Sequence, residues 1–227
     1  MTLTIKSKIG EWVAENIQYA TVFDENKIDF CCGGNKSLEE VCKSQGIDAN
    51  IVMAALNTVK NLKNSDNAND MELAELTEYI QKEFHEEIRT QIPTIQNFID
   101  KVCTAHGDKY NELFEIKEIL KEGFEDLLHH MEKEEQVLFP LVRNLTKDTM
   151  DKFILNPIAM MECEHNHEGE RYKKIAKMTN NYIAPEDACH SFIYLYKLLK
   201  DFEQRLHLHI HIENNILFPK IKKLFQN

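Results

Sequence analysis

The chain has 227 residues, 43% of them hydrophobic, which is enough to bury at least one sizeable core and excludes disorder as its main state. Lys and Arg total 27 against 38 Asp and Glu, a net charge of -11 with no window dense in basic residues, so a nucleic-acid partner is excluded. No stretch approaches the roughly 18 apolar residues a membrane span requires, and MTLTIKSKIGEWVAENIQYA lacks a signal-peptide core, so the expectation is a cytoplasmic protein with no membrane partner.

In a reducing compartment the six cysteines, Cys31, Cys32, Cys42, Cys103, Cys163 and Cys189, read as thiols rather than a disulfide framework. Low Gly and Pro contents favour long helices. Residues 1–60 carry three short helical patterns, at 9–19, 37–45 and 48–59. Ser37 and Glu40 have capping-box spacing, Gly46 stops that helix and Asp48 caps the next. Between the first two patterns lies FDENKIDFCCGGN, where Gly33 and Gly34 permit a turn that a Cβ would hinder. Residues 61–70, NLKNSDNAND, are nearly devoid of apolar side chains and read as a linker.

Residues 71–227 hold four long amphipathic segments. The first, 71–103, has a stripe from Leu73 to Ile99, and Pro93 within it predicts a kink or local break. The second covers 109–144; the third starts with Asn156 as cap and Pro157 at the first helical position and ends near 180. The fourth follows Pro185 and runs to about 225. The fold class is all-α: a small N-terminal helical domain, then an antiparallel four-helix bundle.

Segments two and four contain the same phrase. His130-x3-Glu134-x3-Leu138-Phe139-Pro140 repeats as His209-x3-Glu213-x3-Leu217-Phe218-Pro219. A spacing of four sets imidazole and carboxylate one turn apart on one face, within reach of one metal ion. That face is the apolar stripe, where an ionised glutamate is costly without a neutralising charge, and no Lys or Arg shares the stripe. His85 and His165 add one stripe histidine from each remaining segment.

The ligand count selects the metal. Four imidazoles and two carboxylates without a thiolate suit first-row ions, and carboxylates on opposed helices can bridge two of them. With about six positions per ion, this set plus a bridging oxide or hydroxide leaves about one position open on each for a small diatomic ligand. Iron fits better than zinc, which has no redox chemistry and is satisfied by about four ligands. The bland alternative, hydrogen-bonded core histidines, has to hold twice at identical spacing. A ferritin-like arrangement requires Glu-x-x-His on two helices; only Glu162 with His165 fits, which leaves Glu162 as a reserve ligand. His129, His167, His207 and His211 are expected to face solvent, His106 to lie in a loop, and His190 to be structural.

His85, the two H-x3-E-x3-LFP phrases, MECEH ending at His165 and IDFCCGG around Cys31 and Cys32 together resemble the repair-of-iron-centres (RIC) family, the YtfE/ScdA-type di-iron proteins, over nearly the whole chain. The resemblance implies a hemerythrin-like bundle with two non-haem iron ions (Fe2+/Fe3+), terminal ligands His85, His130, His165 and His209, and bridging carboxylates Glu134 and Glu213. It further implies repair of iron-sulfur clusters damaged by nitrosative and oxidative stress, by iron donation or nitric oxide removal, with Cys31 and Cys32 as the transferring thiols. Damaged iron-sulfur proteins are then the partners, nitric oxide or dioxygen the small ligands, and a homodimer one of the assemblies allowed. Nitric oxide reduction at the diferrous pair, or hemerythrin-type dioxygen binding, are the alternatives. Which histidines share an ion stays open. Adjacent cysteines can rarely form an unstrained disulfide, which suits them to an exposed redox, nitrosation or metal-transfer role.

Overall fold

The computed structural model describes residues 3–60, 62, 68–145 and 152–226, and among these every regular element is helical, with one isolated antiparallel bridge between Lys8 and Ser37. The N-terminal part holds α1 (Ile9–Glu15), α2 (Tyr19–Glu25), α3 (Leu38–Gln45) and α4 (Ala49–Val59). The helix expected over 9–19 stops at Glu15 and a second, not expected, begins at Tyr19, because the Asn16 carboxamide accepts from the Gln18 N–H at 3.0 Å and so competes with helical pairing. Ser37 and Glu40 form the expected capping box, Gly46 is left-handed at φ 69°, and Asp48 accepts from the Asn50 N–H. Of the stretch 61–70, residues 61 and 63–67 lie outside the described ones; Ala68–Asp70 form a 3-10 turn in which Ala68 is buried.

The bundle comprises α5 (Leu73–Ile80) and α6 (Glu86–His106), α7 (Glu112–Lys133) and α8 (Phe139–Arg143), α9 (Leu155–Met178), and α10 (His190–Ile212) with α11 (Phe218–Leu224). Helix α6 packs on α7, α7 on α9, α9 on α10 and α10 back on α6, the closed ring of a four-helix bundle. No break occurs at Pro93: it sits on the exposed face of α6, where water can serve the carbonyl its ring deprives of a partner. Helix α9 starts earlier than expected, at Leu155 after a 3-10 turn (Lys152–Ile154). Pro157 is thus its third residue, still within the turn whose N–H groups have no intrahelical acceptor.

The interior is not one apolar mass. One cluster includes Leu76, Ile80, Phe84, Phe139, Ile158 and Phe218; the other includes Ile88, Leu127, Leu206 and Ile210 together with N-terminal residues such as Ile9, Phe23 and Phe30. The layer between them is polar. The N-terminal part docks on the α9–α10 side: Phe30 packs edge-on against His207 and His211, and Asn215 donates to the Cys31 carbonyl at 2.9 Å.

Candidate metal centre

At that polar layer three chain segments widen into five-residue π turns, Gln81–His85, Glu134–Leu138 and Glu213–Leu217. Each is closed by a bond five residues back: Glu86 N–H to Gln81, Phe139 N–H to Glu134, Phe218 N–H to Glu213. Such single π turns recur at functional sites. Pro140 and Pro219 stand two residues past the ends of two of them, after Phe139 and Phe218; a proline ring crowds the carbonyl four residues earlier in a regular helix, so the LFP triplet favours the wider turn before it.

The helices bring the six predicted residues together. His85, His165, His209, Glu134 and Glu213 are at most 1% exposed, and His130 is 5% exposed. Ligand atoms of His85, Glu134, His209 and Glu213 lie within 4.8 Å of one another, and so do those of His130, Glu134, His165 and Glu213. Both carboxylates belong to both groups. Glu134 sets one oxygen 3.4 Å from His85 Nε2 and the other 3.4 Å from His130 Nε2. Glu213 sets one 3.1 Å from His165 Nε2 and the other 3.2 Å from His209 Nε2. The geometry thus groups His85 with His209 and His130 with His165.

This donor set fits two ions. None of the four carboxylate oxygens has a well-aligned hydrogen-bond donor, although all are buried. Within each histidine pair the Nε2 atoms are 3.2 and 3.1 Å apart. Two nitrogens about 2.1 Å from one ion and about a right angle apart would be about 3.0 Å from each other. Burial opposes charge on His130, yet Glu134, Glu164 and Glu213 draw a proton on to it and push it up to about 10. Burial likewise opposes ionisation of Glu134, but His130 and His85 hold it well below the usual carboxylate range. The pocket thus demands positive charge, which imidazolium or a metal ion can supply.

The outer nitrogens are steered by residues the spacing argument missed. His85 Nδ1 meets Glu135 at 2.7 Å, His130 Nδ1 meets Glu164 at 2.7 Å and His165 Nδ1 meets Asn214 at 2.8 Å. These partners obey the same internal repeat as the ligands. Glu135 and Asn214 directly follow Glu134 and Glu213, and Phe139 and Phe218 stack on His85 and His165. Glu164 precedes His165, whereas Phe84 precedes His85; accordingly Phe84 stacks on His209, whose Nδ1 has no hydrogen-bond partner. The repeated phrase thus supplies a buried histidine, a carboxylate shared between two histidine pairs, a hydrogen-bond partner for a ring nitrogen and a stacking ring, and the duplication itself was the signal that could have found Glu135 and Asn214.

A cavity of about 340 Å³ reaches the centre, with His130, His165, His209, Leu206, Lys133 and Glu168 in its wall. Glu168 is buried, pairs through one oxygen with Arg171 and leaves the other without a partner. Burial pushes it up to about 7 against the pull of Arg171.

Other expectations need correction. Glu162 pairs with Lys222 at 2.6 Å, away from the ligand groups. His129 and His167 are exposed, but His211 is 1% exposed and His207 half-buried, because the N-terminal part covers that face of α10. His106 ends α6 and meets Cys189 Sγ at 3.1 Å, about 30 Å along the helix from His85. Cys31 is buried and Cys32 half-buried rather than exposed. The Cys31 thiol donates to Asp29 at 3.3 Å and that of Cys32 to the His165 carbonyl at 3.4 Å.

Comparison with known proteins agrees with this geometry. Residues 76–221 match the Hemerythrin HHE cation binding domain, and residues 5–60 match ScdA_N, described as a domain of unknown function. A probable iron-sulfur cluster repair protein of Haemophilus influenzae is 34% identical over 95% of this chain and 96% of its own length. The iron-sulfur cluster repair protein ScdA of Staphylococcus haemolyticus is 27% identical over 96% of this chain and 99% of its own. The protein YtfE of Yersinia pseudotuberculosis, of the same description, is 32% identical over 88% and 89%. No helix among the described residues is long and apolar enough to cross a membrane. The chain belongs to the iron-sulfur cluster repair protein family, and its bundle is a hemerythrin HHE cation-binding domain.

Proposed function

We propose that this protein holds two iron ions between His85, His209 and His130, His165, bridged by Glu134 and Glu213, and uses them to repair damaged iron-sulfur clusters. The observation that carries the reading is the sharing of two buried, donor-starved carboxylates between two histidine pairs. Iron so held supplies redox chemistry and an exchangeable metal. Glu135, Glu164 and Asn214 orient the imidazoles; Phe84, Phe139 and Phe218 fix ring planes and keep water from the inner side. Damaged iron-sulfur proteins are the partners, and Cys31 and Cys32, the second of them beside the His165 backbone, are the transferring thiols. A second reading, nitric oxide reduction, is favoured by the cavity that ends on His130, His165 and His209, where Glu168 can deliver a proton.

The test is reactivation of a nitric oxide-damaged iron-sulfur dehydratase under anaerobic conditions. Iron-loaded protein restores activity and a Glu134→Ala, Glu213→Ala variant does not; equal restoration by both removes the centre from the function. Nitrous oxide in the headspace over many equivalents marks the second reading, and its absence excludes turnover.

A further inference from the structure

The geometry points to a second metal-binding site outside the bundle's centre, formed by a carboxylate oxygen of Asp29 with Cys31 Sγ and Cys32 Sγ, for one divalent ion that prefers thiolate. These three ligand atoms lie within 4.8 Å of one another. The two sulfurs are 3.9 Å apart, nearly twice the roughly 2.05 Å of a disulfide. Two thiolates about 2.3 Å from one tetrahedral ion would be about 3.8 Å apart. Asp29 Oδ1 is 3.3 Å from Cys31 Sγ, close enough to share an ion with it.

The loop is built to hold these atoms still. Asp29 Oδ1 also accepts from the Cys32 and Gly33 backbone N–H groups at 3.0 Å, which fixes the carboxylate over the pair. At Gly33 a Cβ would lie 2.7 Å from the Asp29 carbonyl, so the tight approach requires glycine. Charge balances: two thiolates and one carboxylate face a divalent ion and Lys173, whose Nζ is 3.3 Å from Asp29 Oδ2. Three protein ligands leave a fourth position, the mark of a site that exchanges its ligand rather than a closed structural one. Asp29 and Cys31 lie in the wall of a cavity of about 640 Å³ that carries both carboxylates and lysines, among them Glu203, Lys173, Lys177 and Lys200.

Loading displaces two protons, the Cys31 thiol proton shared with Asp29 and the Cys32 thiol proton given to the His165 carbonyl, so that a divalent ion and two thiols become a metal dithiolate and two protons. The site thus stands between that cavity and the backbone of a proposed ligand of the centre. It deepens the transfer role given above to the two cysteines, as a stopping place for one metal ion.

The probe is cobalt(II), titrated into full-length, iron-loaded protein carrying Cys163→Ser and Cys189→Ser, which removes the two exposed thiols. We expect one equivalent to bind with a thiolate-to-cobalt charge-transfer band, which histidine and carboxylate ligands cannot give, and with release of two protons per ion. Adding Cys31→Ser and Cys32→Ser abolishes the band. Asp29→Asn, which keeps the carbonyl that caps Cys32 and Gly33, weakens binding by about tenfold or more, since even orienting partners cost that much. No band, a band that survives loss of both cysteines, or unchanged affinity in Asp29→Asn overturns the site. Iron content measured in the same samples separates failure of this site from failure of the centre.

Discussion

Glu134 and Glu213 stand on diagonally opposed helices and divide their oxygens the same way, one to each histidine pair: Glu134 between His85 and His130, Glu213 between His165 and His209. Loss of a carboxylate and loss of a histidine should therefore differ in kind. Glu213→Leu is expected to lower iron by nearly two ions per chain, and His85→Ala or His130→Ala by about one, because each histidine serves one ion. Elemental analysis checks this. Thermal unfolding should show a lower melting temperature for metal-free protein, since ions held by side chains from four helices would tie those helices together. Equal loss from all three variants contradicts the shared-carboxylate geometry.

The orienting residues give a graded effect. Glu135→Ala frees the His85 ring and is expected to weaken iron binding about 10- to 100-fold, as removal of an outer partner does elsewhere. Glu135→Gln, which can still accept a hydrogen bond, should recover much of this. Competition with a chelator provides the affinity scale; indistinguishable Ala and Gln variants would make Glu135 irrelevant to ring orientation.

Gly34 tests the docking of the N-terminal part. A Cβ there would lie 2.4 Å from Asn215 Oδ1 and 2.6 Å from the Phe30 carbonyl, and Asn215 carries the hydrogen bond to Cys31. Gly34→Ala is expected to destabilise the protein by about 1–3 kcal/mol through overpacking. Urea unfolding measures it, and an unchanged midpoint would mean that the loop gives way freely.

Glu168 predicts a pH dependence. Its folded pKa is raised to about 7 from an ordinary 4.5, so the fold favours the protonated form. The stability this contributes is fully present below about 4.5 and is lost as pH rises to about 7, at most about 3 kcal/mol. Metal-free Glu168→Gln protein lacks this loss. Its advantage over the parent should grow between pH 5 and pH 8 and stay level above; parallel urea midpoints at both pH values would show that Arg171 compensates the burial.

Much of this was legible in the chain, and the exceptions share a cause. The four helices and the stripe carrying His85, His130, His165 and His209 follow from periodicity, and the duplicated phrase locates the carboxylates. Periodicity is local, however. It could not show the π turns, which shift the register by one residue inside an otherwise regular pattern, nor that the N-terminal part buries His211, since that contact joins residues 181 positions apart in the chain. Asn16 splitting the first helix was readable from side-chain competition. The burial of Cys31 was not, because it depends on Asn215 and α9 closing over the loop.

The central claim is that one layer of the bundle holds two iron ions joined by Glu134 and Glu213. Mössbauer spectra of the purified protein, combined with iron analysis, test it most directly. The account predicts about two irons per chain in a magnetically coupled pair, and loss of the coupled signal in Glu134→Ala, Glu213→Ala protein. A single uncoupled iron per chain, or a coupled pair that persists without both carboxylates, would contradict it.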